Sequence, residues 1–245
     1  TGTMGLQGNL WPGEIQEQLL HARTLRTVSN VVFMGMGEPL ENFDGVVSAI
    51  RCLSDVQTFG IAPSSITVST VGIVGNMRRF MQELPKVKLA FSLHAPNQEL
   101  REQIVPIAKS FKLPALMSVM DEYAEKMASD GKRKSAIMVS YCMLEGVNDG
   151  EEHARELCEL LAGRPVIVNL IPYNSFEGNV HDYRTPSPER VDAFLQVLEK
   201  ADVRVFERRH HGRDIGAACG QLAKQGGSEA LMADIESGGC AAERP

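Results

Sequence analysis

NVVFMGMGEPLENFDGVVSAIRCLSD, residues 30–55, packs three signals into one stretch: an apolar β-branched run, a turn with two glycines, and apolar residues at helical spacing. A short apolar run closed by glycines reads as a strand, and the periodic segment behind it reads as an amphipathic helix. The unit then recurs along the chain. Strand-like runs lie at SITVST (65–70), KLAFSL (88–93), AIMVSYCML (136–144), VIVNLIPY (166–173) and VRVFER (203–208). Helical spacing marks GEIQEQLLHAR, NMRRFMQEL, LPALMSVMDEYAEKM, EEHARELCELLAG and SPERVDAFLQVLEKA, the last with Ser187 and Glu189 placed to cap its start. Strands alternating with helices predict an α/β fold with a parallel sheet, and near-continuous apolar strands predict burial on both faces, in a barrel or a doubly wound sheet.

Bulk properties set the context. The 245 residues are 43% hydrophobic and carry a formal charge of -6, so no global field draws the chain to nucleic acid or to a membrane. Two local basic stretches, DGKRK (130–134) and RVFERRHHGR (204–213), could touch phosphate; the first reads as solvated surface. The five cysteines, Cys52, Cys142, Cys158, Cys219 and Cys240, show neither disulfide pairing nor CxxC spacing, so no metal site is expected among them and a reducing compartment fits. No apolar run is long enough to span a membrane, and the segment from about 225 lacks strand or helix signals.

Polar groups gather where the strands end. Gly35, Gly37 and Glu38 follow the first run, Thr70 the second, Ser92, Leu93 and His94 the third, and Tyr173 and Asn174 the fifth. Each alone is explained by a strand needing a polar end; together they point to a pocket at the C-terminal edge of a parallel sheet. MGMGEP is not a dinucleotide fingerprint, because Leu40 stands where GxGxxG needs its third glycine. It reads instead as a turn that a ligand can approach closely, with Glu38 held before Pro39 as an acceptor for an ammonium group. Cys219 in DIGAACGQL (214–222) sits among small residues, as either a compact buried hydrophobe or a sulfur that something must approach.

VVFMGMGEPLENFDGVVSAI, ITVSTVGIV, LAFSLHAPNQELREQIVPI, CMLEGVNDGEEHARELCELL, VNLIPYN and DIGAACGQL, in this order from residue 1 to about 223, resemble the radical S-adenosylmethionine enzymes that methylate C2 of an adenine in 23S ribosomal RNA, sometimes also in transfer RNA. The enzymes that methylate C8 of such a base are the near neighbours. The resemblance implies a partial TIM-like (β/α) barrel of the radical S-adenosylmethionine type with its first strand missing. Residues 1–223 would form the core with its carrier segment, and 224–245 a flexible tail. It also implies roles for particular residues. Gly37 and Glu38 would contact the amino group of S-adenosylmethionine, with Ser69, Ser92, Leu93, His94 and Asn174 as further contacts. Cys219 would be the catalytic methyl carrier, methylated by one S-adenosylmethionine before a radical from a second activates its methyl group. A radical route suits adenine C2, which is not nucleophilic, and Ala217, Ala218 and Gly220 leave room for an extruded base beside the sulfur. Arg208 is the one basic residue whose match to an RNA contact is firm.

The family's CxxxCxxC motif, whose thiolates hold a [4Fe-4S] cluster, does not occur in these residues. The cofactors implied are therefore S-adenosylmethionine here and, in the complete enzyme, the cluster with an external reductant. The sequence as it stands is expected to be inactive, either as a fragment of a complete enzyme or as a shortened protein that kept the fold; the intact cofactor-site residues favour the first. The partners implied are rRNA and possibly tRNA, with no membrane, a monomeric state, and a cytoplasmic location, or an organellar one with an upstream targeting segment. An inactive barrel that binds RNA or acts as a scaffold is the alternative function. An unrelated barrel enzyme is a weaker one, lacking a Schiff-base lysine or paired acid and base at the strand ends. An unpaired edge beside residues 30–36 predicts poor solubility.

Overall fold

The computed structural model describes residues 8–129, 136–174 and 182–208. Cys219, Cys240, the segment from 225, the DGKRK stretch and the residues after Arg208 in RVFERRHHGR lie outside the described residues.

Six strands form one parallel sheet: β1 (Val31–Phe33), β2 (Ile66–Thr70), β3 (Lys88–Ser92), β4 (Ile137–Met143), β5 (Val166–Pro172) and β6 (Arg204–Glu207). Their order across the sheet is their order along the chain, β1 to β6. Among the described residues seven α-helices connect or flank them: α1 (Pro12–Leu25), α2 (Phe43–Ser54), α3 (Val74–Glu83), α4 (Gln98–Ile104), α5 (Leu113–Ser129), α6 (Glu151–Leu161) and α7 (Pro188–Lys200). The parallel α/β architecture is the expected one, and the sheet is open: β1 and β6 each pair on one side only among the described residues. The expected strand at 30–36 shortens to three residues, because Gly35 and Gly37 leave the extended region at φ +135° and +69°. Helix α4 has no counterpart in the expected alternation. It starts where Asn97 Oδ1 accepts the Leu100 N–H at 3.0 Å.

Capping explains the boundaries of the terminal helices. Pro12 opens α1, where its missing N–H costs nothing, and Glu14 reaches back to accept the Trp11 N–H at 2.7 Å. Ser187 Oγ accepts the Arg190 N–H at 3.4 Å before Pro188 begins α7, as the sequence indicated.

The two faces of the sheet differ. Phe91 packs on Tyr123 of α5 with ring centroids 6.2 Å apart, and Tyr141 packs on Phe194 of α7 at 5.3 Å. These residues, with Val68, Val139 and Val168, form the core between sheet and helices. The alternate positions, Ser69, Ser92, Ser140 and Asn169, therefore line the other, inner face. At the C-terminal end of the strands the two edges of the sheet approach each other, where Arg208 Nη1 donates to Met34 Sδ at 3.5 Å.

Candidate functional site

The turn after β1 begins the site. Positive φ, not crowding, selects its glycines: a Cβ at Gly35 or Gly37 would meet nothing within 4 Å. Bare backbone and open space therefore flank Glu38. Its carboxylate is tied down on both oxygens, with Oε1 accepting the Leu40 N–H at 2.9 Å and Oε2 the Val71 N–H at 2.8 Å. The second bond fastens the β1 turn to the end of β2. Burial pushes the Glu38 carboxyl above the ordinary 4.5, against the opposing pull of the Val71 and Leu40 N–H groups. A partly buried carboxylate so raised is relieved by a cation, which restores the interaction that water no longer fully gives.

Ser69 and Ser92 follow on the inner face, their hydroxyls 3.0 Å apart across β2 and β3. A small cavity brings together Met34, Gly37, Glu38, Ser69, Val71 and Ser92. The larger cavity, bordered by Cys158, Arg164 and Asp202, opens at the start of β5 and β6, the opposite end from the one where parallel α/β sheets gather ligands. The candidate site is the smaller cavity.

His94 and Leu93 sit one layer back. Leu93 is fully buried, its N–H donated to Ser140 O at 3.0 Å and its carbonyl accepting from Arg101 Nε at 3.2 Å, so its side chain belongs to the core. His94 takes the left-handed region at φ 62°. Its Nδ1 accepts the Cys142 N–H at 3.0 Å, which requires an unprotonated Nδ1 and leaves the ring proton on Nε2. Burial first, then the Arg101 charge, lowers its pKa from 6.5 to about 4, so the imidazole is neutral at physiological pH. Asn148 holds the turn by donating Nδ2 to His94 O at 2.8 Å and to Cys142 O at 2.7 Å. Asn174 lies two residues past the end of β5, after Tyr173, and is partly buried.

Sequence reasoning missed Arg101. It is fully buried on α4 and donates to four carbonyls: Val71 at 2.6 Å, Leu93 at 3.2 Å, Phe111 at 3.3 Å and Ser92 at 3.5 Å. One guanidinium thus ties the ends of β2 and β3 together. Burial lowers its pKa to about 10, still charged at neutral pH. Within QELREQ it reads as a surface residue, and no pattern in the sequence signals its burial.

Among the described residues no three His, Cys, Asp or Glu side chains cluster to hold a metal. Cys52, Cys142 and Cys158 stand on α2, β4 and α6, so the described residues do not fit a [4Fe-4S] cluster. No helix among them is long and apolar enough to cross a membrane.

No protein-family model matches the chain. It is 43% identical over 230 residues to a protein of Protochlamydia amoebophila described as a probable dual-specificity RNA methyltransferase RlmN 2, a match covering 92% of this chain and 62% of that one. Proteins of Symbiobacterium thermophilum and Salinibacter ruber, both described as probable dual-specificity RNA methyltransferase RlmN, match at 44% and 40% identity, over 89% and 92% of this chain and 58% and 61% of theirs. The fold superposes on a radical SAM methyltransferase from Sphaerobacter thermophilus with a TM-score of 0.82 at 36% identity, over 90% of this chain and 64% of that one. In sequence and fold this chain is homologous to radical S-adenosylmethionine methyltransferases. The homologous stretch spans about three fifths of the length of the curated relatives it matches. A domain of a pyruvate-formate lyase-activating enzyme from Bacteroides vulgatus shares the fold alone, at TM-score 0.55 and 22% identity over 74% of this chain and all of that one.

Proposed function

We propose that this chain binds S-adenosylmethionine at the C-terminal ends of β1 to β5, and that the protein it serves is an RNA methyltransferase. The observation that carries the reading is Glu38: a partly buried carboxylate with a raised pKa, fixed by two backbone N–H groups beside an open glycine turn. Such a group is prepared for an ammonium, and S-adenosylmethionine brings one. Ser69, Ser92, His94 and Asn174 border the same strand ends, with Gly37 giving backbone access. Neutral His94 would act there as a hydrogen-bond donor through Nε2 and not as a base.

The finer assignment follows the motif resemblance of the sequence. The substrate is an adenine of 23S-type rRNA, modified at C2, with tRNA as a second substrate, and Cys219 is the residue that carries the methyl group. The described residues contribute the cofactor's seat, while exposed Arg208 beside Met34 offers positive charge at the rim for an RNA phosphate.

Equilibrium dialysis with labelled S-adenosylmethionine tests the seat. Glu38→Gln keeps the shape and removes the charge, and a lost charge-assisted contact weakens binding by about tenfold to a hundredfold. Wild-type binding should also weaken as acid protonates Glu38, with a midpoint above 4.5. Equal binding by the variant would refute the ammonium role. In the full protein, Cys219→Ala should abolish label transfer to rRNA, and retained methylation would remove the carrier assignment.

A further inference from the structure

Among the described residues, two buried polar atoms on the inner face of the sheet have no hydrogen-bond partner: Ser140 Oγ and Asn169 Oδ1. Their residues are 1% and 5% exposed. They are direct neighbours in register, Ser140 of β4 opposite Asn169 of β5, and Ser140 is opposite Ser92 of β3. Ser92 in turn bonds Ser69 and lines the Glu38 cavity. A polar line thus runs from the cavity across four strands, stepping diagonally from Ser69, which is level with Ala90, to the Ser92, Ser140 and Asn169 level and ending in two unsatisfied groups. At the usual strand spacing it extends about 14 Å.

Leaving a buried hydroxyl and amide oxygen unpaired weakens a fold, and a core position facing only neighbours is better filled by an apolar residue. The flanking inner-face positions on the same strands are Met138, Cys142, Ile167 and Ile171, all only partly buried and none of them a hydroxyl or amide. On β4 and β5 the hydroxyl and the amide thus both stand at the one level shared with Ser92. Asn169 Oδ1 can only accept, so its complement is a donor, a hydroxyl or an amine; Ser140 Oγ can do either.

We infer that Ser140 and Asn169 are further ligand-binding residues, which take the hydroxyl or amino groups of a nucleoside laid along this row. The inference rests on the proposed S-adenosylmethionine site: Glu38 holds the ammonium end, and the row receives the nucleoside end. It adds two contacts on β4 and β5 to those at the strand ends.

Dialysis with S-adenosylmethionine and S-adenosylhomocysteine, run beside thermal unfolding, tests the assignment on wild type, Glu38→Gln, Ser140→Ala and Asn169→Ala. Ser140→Ala should weaken both ligands about tenfold while leaving the melting temperature unchanged or higher, because an unpaired buried hydroxyl has been removed. Asn169→Ala should weaken them at least as much. If Glu38→Gln weakens binding and the two inner-face variants do not, the inference falls and the proposed site stands. A lower melting temperature in Ser140→Ala with unaltered affinity would make the hydroxyl purely structural and overturn it. Wild-type protein that binds neither ligand removes both proposals.

Discussion

His94 should make this protein acid-sensitive in a way that a single substitution removes. Its pKa falls from 6.5 in the unfolded chain to about 4 in the fold. The unfolded state therefore takes up its proton first, so the contribution is complete above 6.5, is lost as pH falls toward 4, and changes no further below that. A gap of 2.5 units at 1.36 kcal/mol per unit, evaluated at pH 4, amounts to about 3 kcal/mol lost relative to pH 7. Asparagine is the informative replacement. It tolerates the left-handed backbone at φ 62° and places Oδ1 where the imidazole Nδ1 accepts the Cys142 N–H, yet it does not titrate. Urea unfolding of wild type and His94→Asn, followed by far-ultraviolet circular dichroism from pH 7 to pH 4, should show the wild type losing about 3 kcal/mol more than the variant. Parallel loss in the two proteins, with a difference below about 1 kcal/mol, would refute the neutral, hydrogen-bonded His94.

Arg101→Lys keeps the charge but cannot fork across four carbonyls, and a loss of about 3 kcal/mol in urea unfolding is expected; an unchanged midpoint would deny Arg101 its role in joining β2 to β3. Asp149→Asn weakens the pair in which Arg190, itself 46% exposed, donates at 2.6 and 2.7 Å to a carboxylate whose side chain is 1% exposed, and should cost about 1–2 kcal/mol by the same measurement, since the charge left behind is solvated. Val32 is 54% exposed on edge strand β1, so Val32→Lys should lower light scattering on concentration with stability held within about 0.5 kcal/mol; undiminished scattering would move the aggregating surface elsewhere.

The strands were legible because each is a short apolar run ended by a polar or glycine turn, and six of them reappear within a few residues of the expected bounds. Ser187 was legible as a cap because capping is local chemistry. Helix α4 was not, since QELREQI is short and mostly polar, and its main buried side chain is an arginine held by backbone carbonyls from distant segments. Glu38 could be chosen from its turn, but its raised pKa comes from burial among β1 and β2, which no local pattern encodes. Ser140 and Asn169 look like ordinary polar interruptions in apolar strands; only the register places them side by side.

The strand order has a consequence for how the chain acquires its shape. Each strand pairs with the one made just before it, so the sheet can grow from one edge while the chain is being synthesised, and no strand must be inserted between two others. The contact between Arg208 and Met34 is different: it joins positions 174 residues apart and must await β6, the last of the described strands. Among the described residues, the rim of the candidate site is therefore completed last. A ligand that bridges both edges would recognise finished chains over nascent ones, and would slow unfolding by holding together the two segments that were last to meet.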